Sequence, residues 1–267
     1  MAIFQVDFFA KTLKRKVQMA AVIPLDVPPE LAPNTPDVFK PVFLLHGYSG
    51  NHNDWLCSAP LQELALQHGL AFIMPNGENH FYLNDPIREA MYEDFICSEL
   101  PAFCQKNFPI SSKPADTAIG GLSMGGFGAI HSGLAHPETF GNIIALSSAL
   151  ITDGISKMKE GQGNEIASYA YYHHVFGPLE NLPGSHNDPK ALAGKLAEKP
   201  ETIPNIYMAC GTEDFLIQEN RDFHEYLQTL KIKHEYVEGP GTHDWVFWST
   251  YLAKALIWLK RLGELSH

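Results

Sequence analysis

The chain is predicted to fold as an α/β domain with a mostly parallel central sheet of about eight strands, the first two antiparallel, and helices on both faces. Three observations carry this. From residue 42 onward, short all-apolar runs alternate with longer amphipathic stretches, the pattern of parallel strands covered on both sides. Two β-friendly runs, Ile3 to Phe9 and Lys16 to Ile23, open the chain at a spacing that suits an antiparallel pair. The 267 residues are 45% hydrophobic and 18% charged, enough apolar material for one large core and too little charge bias for disorder. A single domain spanning 1–267 is expected.

Each element follows from local chemistry. Between the two opening runs lies the cationic stretch Lys11 to Lys16, read as a solvated edge. Pro24, Pro28, Pro29, Pro33, Pro36 and Pro41 then mark a surface loop that cannot join a sheet or helix. The buried strands are expected at 42–45, 70–74, 117–120, 143–146, 206–209 and 234–237. Helical periodicity falls at 59–68, 92–107, 125–136, 217–230 and 246–262, with Pro109 and Pro137 as stops. Residues 151–204 break the rhythm. They are rich in Gly, Pro, Asn and Ser, hold the aromatic cluster Tyr169, Tyr171 and Tyr172, and contain no long strand, which predicts a small cap or lid inserted above the sheet.

The charge balance of −11 argues against nucleic-acid binding, which needs a basic face. No basic segment precedes an apolar one at the N-terminus, and no run approaches the ~20 apolar residues of a membrane span, so a cytoplasmic protein without a membrane partner is expected. Cys57, Cys97, Cys104 and Cys210 include no C-x-x-C pair and read as buried free thiols. The adjacent His173 and His174 point apart on a helix or strand and lack a carboxylate at ligand spacing, so neither metal nor cofactor is expected. Self-association into a homo-oligomer is left open.

The strongest chemical signal is Gly121-Leu122-Ser123-Met124-Gly125, placed after an apolar strand run and before a helical one. That context is a nucleophile elbow, a tight strand-to-helix turn whose small neighbours tolerate a strained backbone and project the serine hydroxyl outward. A serine needs an imidazole to take its proton and an acid to orient the ring, in the order Ser, acid, His for this architecture. Asp214 follows the 206–209 strand and is the expected acid, although the neighbouring Glu213 has the same chemistry. His243 lies in the Pro- and Gly-rich loop after the last strand, 120 residues beyond the serine. The backbone N–H groups of Met124 and Tyr48 are the expected oxyanion hole. His46, beside Tyr48, reads as a structural loop residue.

Four segments together resemble a known family: 45–55 (LHGYSGNHNDW), 121–126 (GLSMGG), 211–216 (GTEDFL) and 239–248 (GPGTHDWVFW). They are similar to the esterase D branch of the α/β-hydrolases, above all to bacterial tributyrin esterases, and the likeness runs from Leu44 to about Trp258. It implies the α/β-hydrolase fold and a serine carboxylesterase acting on short-chain acyl esters, with Ser123, Asp214 and His243 as the triad and Tyr48 and Met124 at the oxyanion positions. Cinnamoyl (feruloyl) esterases, S-formylglutathione hydrolases and mycolyltransferases share the scaffold, so release of hydroxycinnamates from plant cell-wall esters is the alternative. The segment from His243 to Trp248 departs from the His-Ser-Tyr-Tyr type of the formylglutathione enzymes, which disfavours that activity; transfer of the acyl group to an alcohol is a further, lesser alternative. Trp55, Phe81, Tyr82 and Trp245 are expected to wall the substrate pocket.

Overall fold

Strand β1 (Ala2–Ala10) alternates exposed and part-buried residues along nearly its whole length, as an edge strand should, and pairs antiparallel with β2 (Arg15–Ile23). The computed structural model describes residues 1–28, 30 and 35–265. Beyond the hairpin come β3 (Lys40–Leu45), α1 (Asp54–Ser58), α2 (Leu61–His68), β4 (Leu70–Pro75), the two-residue strands β5 (Asn84–Asp85) and β6 (Ala90–Met91), α3 (Tyr92–Asp94) and α4 (Leu100–Asn107). The second half holds β7 (Ala118–Leu122), α5 (Met124–Ala135), β8 (Asn142–Leu146), α6 (Thr152–Ile155), α7 (Tyr169–Phe176), α8 (Pro189–Ala197), β9 (Asn205–Gly211), α9 (Ile217–Thr229), β10 (Glu235–Gly239) and α10 (Trp245–Leu265).

All eight expected strands join one sheet in the order β1-β2-β4-β3-β7-β8-β9-β10, with β5 and β6 forming a separate ribbon. The pairs β1/β2 and β2/β4 are antiparallel and the remainder parallel. The period-2 alternation divides each buried strand between two cores. Phe43 and Leu45 face one, with Ile73, Ile119 and Phe127, while Val42 and Leu44 face the other, with Phe72, Ile144 and Leu252. From β3 the chain runs outward to β4, then crosses back over β3 to β7 and proceeds to β10. Loops at the carboxyl ends of β3 and β7 therefore diverge, which is where open α/β sheets form their ligand crevice.

Several expectations are corrected. Pro41, expected to end the surface loop, lies inside β3, opposite Ala71. It sits at the end where pairing with β7 only begins, a position that tolerates a residue without an N–H. Phe39 also bridges Ile110, whereas Pro29 and Pro33 lie outside the described residues. The single helix expected at 92–107 is divided by a π-turn at Phe95–Glu99. Pro101 cannot donate to the carbonyl of Cys97 four residues back, and the Thr139 hydroxyl takes that carbonyl instead (3.1 Å). Cys57 is exposed on α1, while the other three cysteines are buried. Among the described residues no helix is long and apolar enough to cross a membrane.

Residues 151–204 connect β8 to β9 and carry α6, α7 and α8. Ser168 caps α7 by accepting the Tyr171 N–H (3.3 Å), and Asp188 caps α8 through the Lys190 N–H (3.0 Å), with Pro189 in the first turn. The segment is tied to the region before α3: the Tyr171 hydroxyl donates to the Asn79 carbonyl (2.6 Å) and His174 lies 2.9 Å from Asp85.

Candidate active site

Strand β7 ends at Leu122 and α5 starts at Met124, so Ser123 alone makes the turn. Its φ of 55° and ψ of −118° are values that non-glycine residues rarely adopt. The surroundings impose them. The Ser123 N–H donates to the Leu146 carbonyl (3.0 Å), and its own carbonyl accepts from Phe127 (3.0 Å) and Ala149 (2.9 Å). Two flanking positions demand glycine because backbone approaches too closely for a side chain. A Cβ on Gly121 would stand 2.3 Å from the Gly125 carbonyl oxygen, and one on Gly125 would stand 2.3 Å from that of Leu45.

Asp214 follows β9 and is buried. Its Oδ2 lies 2.9 Å and its Oδ1 3.1 Å from His243 Nδ1, and Oδ1 also accepts the Leu216 N–H at 2.9 Å. Burial alone would raise its pKa, but hydrogen bonds from His243 and the Leu216 N–H more than offset that and hold the carboxyl below its ordinary value. Glu213, chemically equivalent in sequence, points elsewhere. It accepts the Gly241 N–H (2.8 Å) and donates its own N–H to the Gly241 carbonyl (3.1 Å), which pins the histidine loop from outside. His243 lies between Phe215 (ring centroids 4.5 Å apart) and Trp248 (4.9 Å, nearly perpendicular). With Nδ1–H donated to Asp214, its Nε2 keeps a lone pair.

Gly47 and Tyr48 follow β3 beside the serine. His46 is fully inside the protein, with Nδ1 against the Gly47 carbonyl (2.7 Å) and Nε2 accepting the Gly77 N–H (2.9 Å). That pairing requires a neutral ring, and burial lowers its pKa accordingly. Asn79 accepts the Ser49 N–H (2.7 Å), and Tyr171 packs edge-on against Tyr48 (5.6 Å), so the loop is held from two sides. Met124 opens α5, and its N–H, like those of any first helical turn, has no carbonyl partner within the helix.

A cavity of about 670 Å³ brings Ser123, His243, Tyr48 and Met124 together with Phe81, Tyr172, Trp245 and Trp248. Of the four expected wall residues, Phe81 and Trp245 line it. Trp55 and Tyr82 do not: both are buried behind it, where the Trp55 indole N–H donates to the Leu45 carbonyl (2.9 Å) and the Tyr82 hydroxyl to that of His46 (2.9 Å). Their polar tips hold the end of β3. Phe215, Glu219 and Trp248 were not anticipated, although Phe215 adjoins Asp214 and Trp248 follows His243 by five residues. Asn164, Glu165, Ile166 and Tyr172 come from the 151–204 segment. Among the described lining residues the carboxylates are Asp54, Glu165 and Glu219, with no Lys or Arg.

Residues 11–259 match the family model described as "Putative esterase". The chain is 44% identical over 266 residues to an acetyl esterase of Caldicellulosiruptor saccharolyticus, covering 99% of this chain and 100% of that one. Among solved structures it is similar to a fluorophosphonate-binding serine hydrolase of Staphylococcus aureus with substrate bound, at 28% identity and a TM-score of 0.84 over 97% of this chain and 98% of the other. It is also similar to an S-formylglutathione hydrolase of Staphylococcus aureus, at 27% identity and a TM-score of 0.82 over the same shares.

Proposed function

The chain belongs to the esterase family, and on that premise we propose that it is a serine carboxylesterase that hydrolyses short-chain acyl esters through Ser123, His243 and Asp214. The observation that carries the reading is the Asp214–His243 pair, whose imidazole opens on the same cavity as a serine held at a strained strand-to-helix turn. Ser123 Oγ attacks the acyl carbonyl while His243 Nε2 takes its proton. Asp214 holds the ring and stabilises the imidazolium. The N–H groups of Met124 and Tyr48 receive the negative charge that develops on the carbonyl oxygen. The imidazolium then protonates the leaving alcohol, and water, deprotonated by the same nitrogen, releases the acid and restores the serine.

The acetyl esterase similarity supports a short acyl group. A second reading, release of a hydroxycinnamoyl group, is favoured by the size of the cavity and by its aromatic wall of Phe81, Tyr172, Trp245 and Trp248. The acidic lining opposes a glutathione thioester, whose carboxylates would meet Asp54, Glu165 and Glu219 without a compensating cation.

The test is an initial-rate panel of p-nitrophenyl acetate, butyrate and octanoate, methyl ferulate and S-formylglutathione, with Ser123→Ala as the blank. Acetate and butyrate should lead, and Ser123→Ala should lower kcat by about 10³-fold or more. Methyl ferulate cut at comparable kcat/KM would replace the short-chain reading with the second. A Ser123→Ala variant near the wild-type rate would overturn both. Added alcohol should leave free acid as the main product, and ester product would point to acyl transfer.

A further inference from the structure

A second cluster of chemistry-bearing side chains stands apart from the ester cavity. Glu93 on α3, His131 on α5 and His186, between α7 and α8, each direct one ligand-type atom into a common space, and the three atoms lie within 4.8 Å of one another. None of them lines the cavity that holds Ser123. Glu93 is buried, and its Oε1 meets His186 Nε2 at 2.7 Å and His136 Nε2 at 3.0 Å. His131 has no solvent exposure. Its Nε2 faces the His186 carbonyl at 3.0 Å, while its Nδ1 is buried without a hydrogen-bond partner.

Nothing in the ester chemistry uses these groups. A lone imidazole nitrogen sealed in the protein is costly unless something binds it. When Nε2–H donates to the His186 carbonyl, Nδ1 carries the free lone pair, the form in which imidazole ligates a metal. Two imidazoles and one carboxylate form a donor set suited to zinc and its first-row neighbours, whereas calcium and magnesium prefer all-oxygen shells. Tetrahedral zinc with bonds of about 2.0–2.2 Å would bring the ligand atoms to about 3.4 Å from one another. The half-exposed His186 side chain has the freedom to make that adjustment, in which its 2.7 Å hydrogen bond to Glu93 Oε1 opens so that both atoms face the ion. His136 would remain on the Glu93 carboxylate and orient it, as outer hydrogen bonds do at metal centres.

We infer that Glu93, His131 and His186 form a binding site for a divalent transition-metal ion, zinc foremost, distinct from the hydrolytic cavity. The three ligands come from three separate parts of the chain. The ion would join the 151–204 segment, through His186, to α5, the helix that follows Ser123, and to α3. It would act as a staple on the segment that supplies Asn164, Glu165, Ile166 and Tyr172 to the cavity wall.

The test uses the full chain without a histidine tag, stripped with EDTA and desalted, and titrated with zinc chloride against a chromophoric chelator. One zinc per chain is expected, with a rise in Tm when it binds. His186→Gln alters a half-exposed side chain and should fold. It should weaken zinc binding at least tenfold and abolish the Tm rise, and Glu93→Gln should do the same. His224→Gln removes one member of a separate histidine pair, in which His224 Nδ1 lies 2.7 Å from His234 Nε2, and should leave both unchanged. Wild-type protein that binds no zinc overturns the inference, as does zinc binding that survives His186→Gln and Glu93→Gln or is lost in His224→Gln.

Discussion

Replacing Asp214 by asparagine isolates the orienting role of the carboxylate, because the structure dictates how the amide must sit. Oδ1 accepts the buried Leu216 N–H at 2.9 Å, so the amide oxygen must take that place. The amide nitrogen then occupies the Oδ2 position, 2.9 Å from His243 Nδ1. An NH₂ group there needs a lone pair on Nδ1, which moves the ring proton to Nε2 and turns the nitrogen facing the serine from a base into a donor. Loss of the base by this tautomer change is worth about 10⁴ in kcat, or about 5.4 kcal/mol in the barrier. Asp214 is not among the cavity-lining residues, so KM for p-nitrophenyl acetate should hardly change. Asp214→Asn keeps the Leu216 bond and should melt close to wild type, whereas Asp214→Ala leaves that buried N–H unpaired and should lose a further ~1–3 kcal/mol of stability. Steady-state kinetics at pH 7.5 with thermal melts of both variants decide the matter. An asparagine variant that retains more than about a tenth of wild-type kcat would refute the reasoning.

Three further outcomes are expected. Gly125→Ala drives a Cβ to 2.3 Å from the Leu45 carbonyl oxygen, a backbone atom with little freedom to retreat, and should cost about 3 kcal/mol, a Tm drop of roughly 6–12 °C, together with most of the activity; an unshifted melt would show that the elbow has slack. His46 is held neutral by burial, with its folded pKa below the unfolded value of 6.5. The unfolded chain therefore takes up the proton first as pH falls, and the wild-type advantage over His46→Gln should shrink below pH 6.5, by at most about 1.4 kcal/mol per pH unit; denaturant melts at pH 7.5 and 5 that give equal differences would contradict this. Of the four thiols, only exposed Cys57 should react rapidly with Ellman's reagent in the native protein, since burial pushes Cys210 up to about 12 and raises Cys97 and Cys104 as well; four equivalents should appear in denaturant, and two or more fast native thiols would count against the burial of that group.

The sheet and the residue types of the candidate site were legible because both depend on short-range pattern. Short all-apolar runs mark strands such as 42–45 and 70–74 because both of their faces are covered, and a serine between Gly121 and Gly125 at a strand-to-helix junction announces a turn that only small neighbours permit. Position within a loop after a late strand narrowed the acid to two adjacent carboxylates. The cap signatures of Ser168 ahead of α7 and of Asp188-Pro189 ahead of α8 are also present in the sequence, but the surrounding composition is that of a loop and masks both helices.

Long-range contact settled the rest. Whether Asp214 or Glu213 meets His243 depends on the rotation of one loop against another, with Glu213 engaged by Gly241, 28 residues away in sequence. Trp55 and Tyr82 look like pocket aromatics until their polar tips are seen to be committed to the carbonyls at the end of β3. The π-turn before α4 follows from Pro101, but the hydroxyl that rescues the Cys97 carbonyl comes from Thr139, 42 residues on. Glu93, His131 and His186 are separated by 38 and 55 residues and have no spacing that a sequence pattern could register. By itself the sequence determined which segments become strands and helices and which residue types the elbow needs, since those depend on local sterics and burial period. Which side chains share a cavity, an acid or a ligand site was decided only when the sheet brought distant loops to its carboxyl edge and packed the inserted segment against α3 and α5.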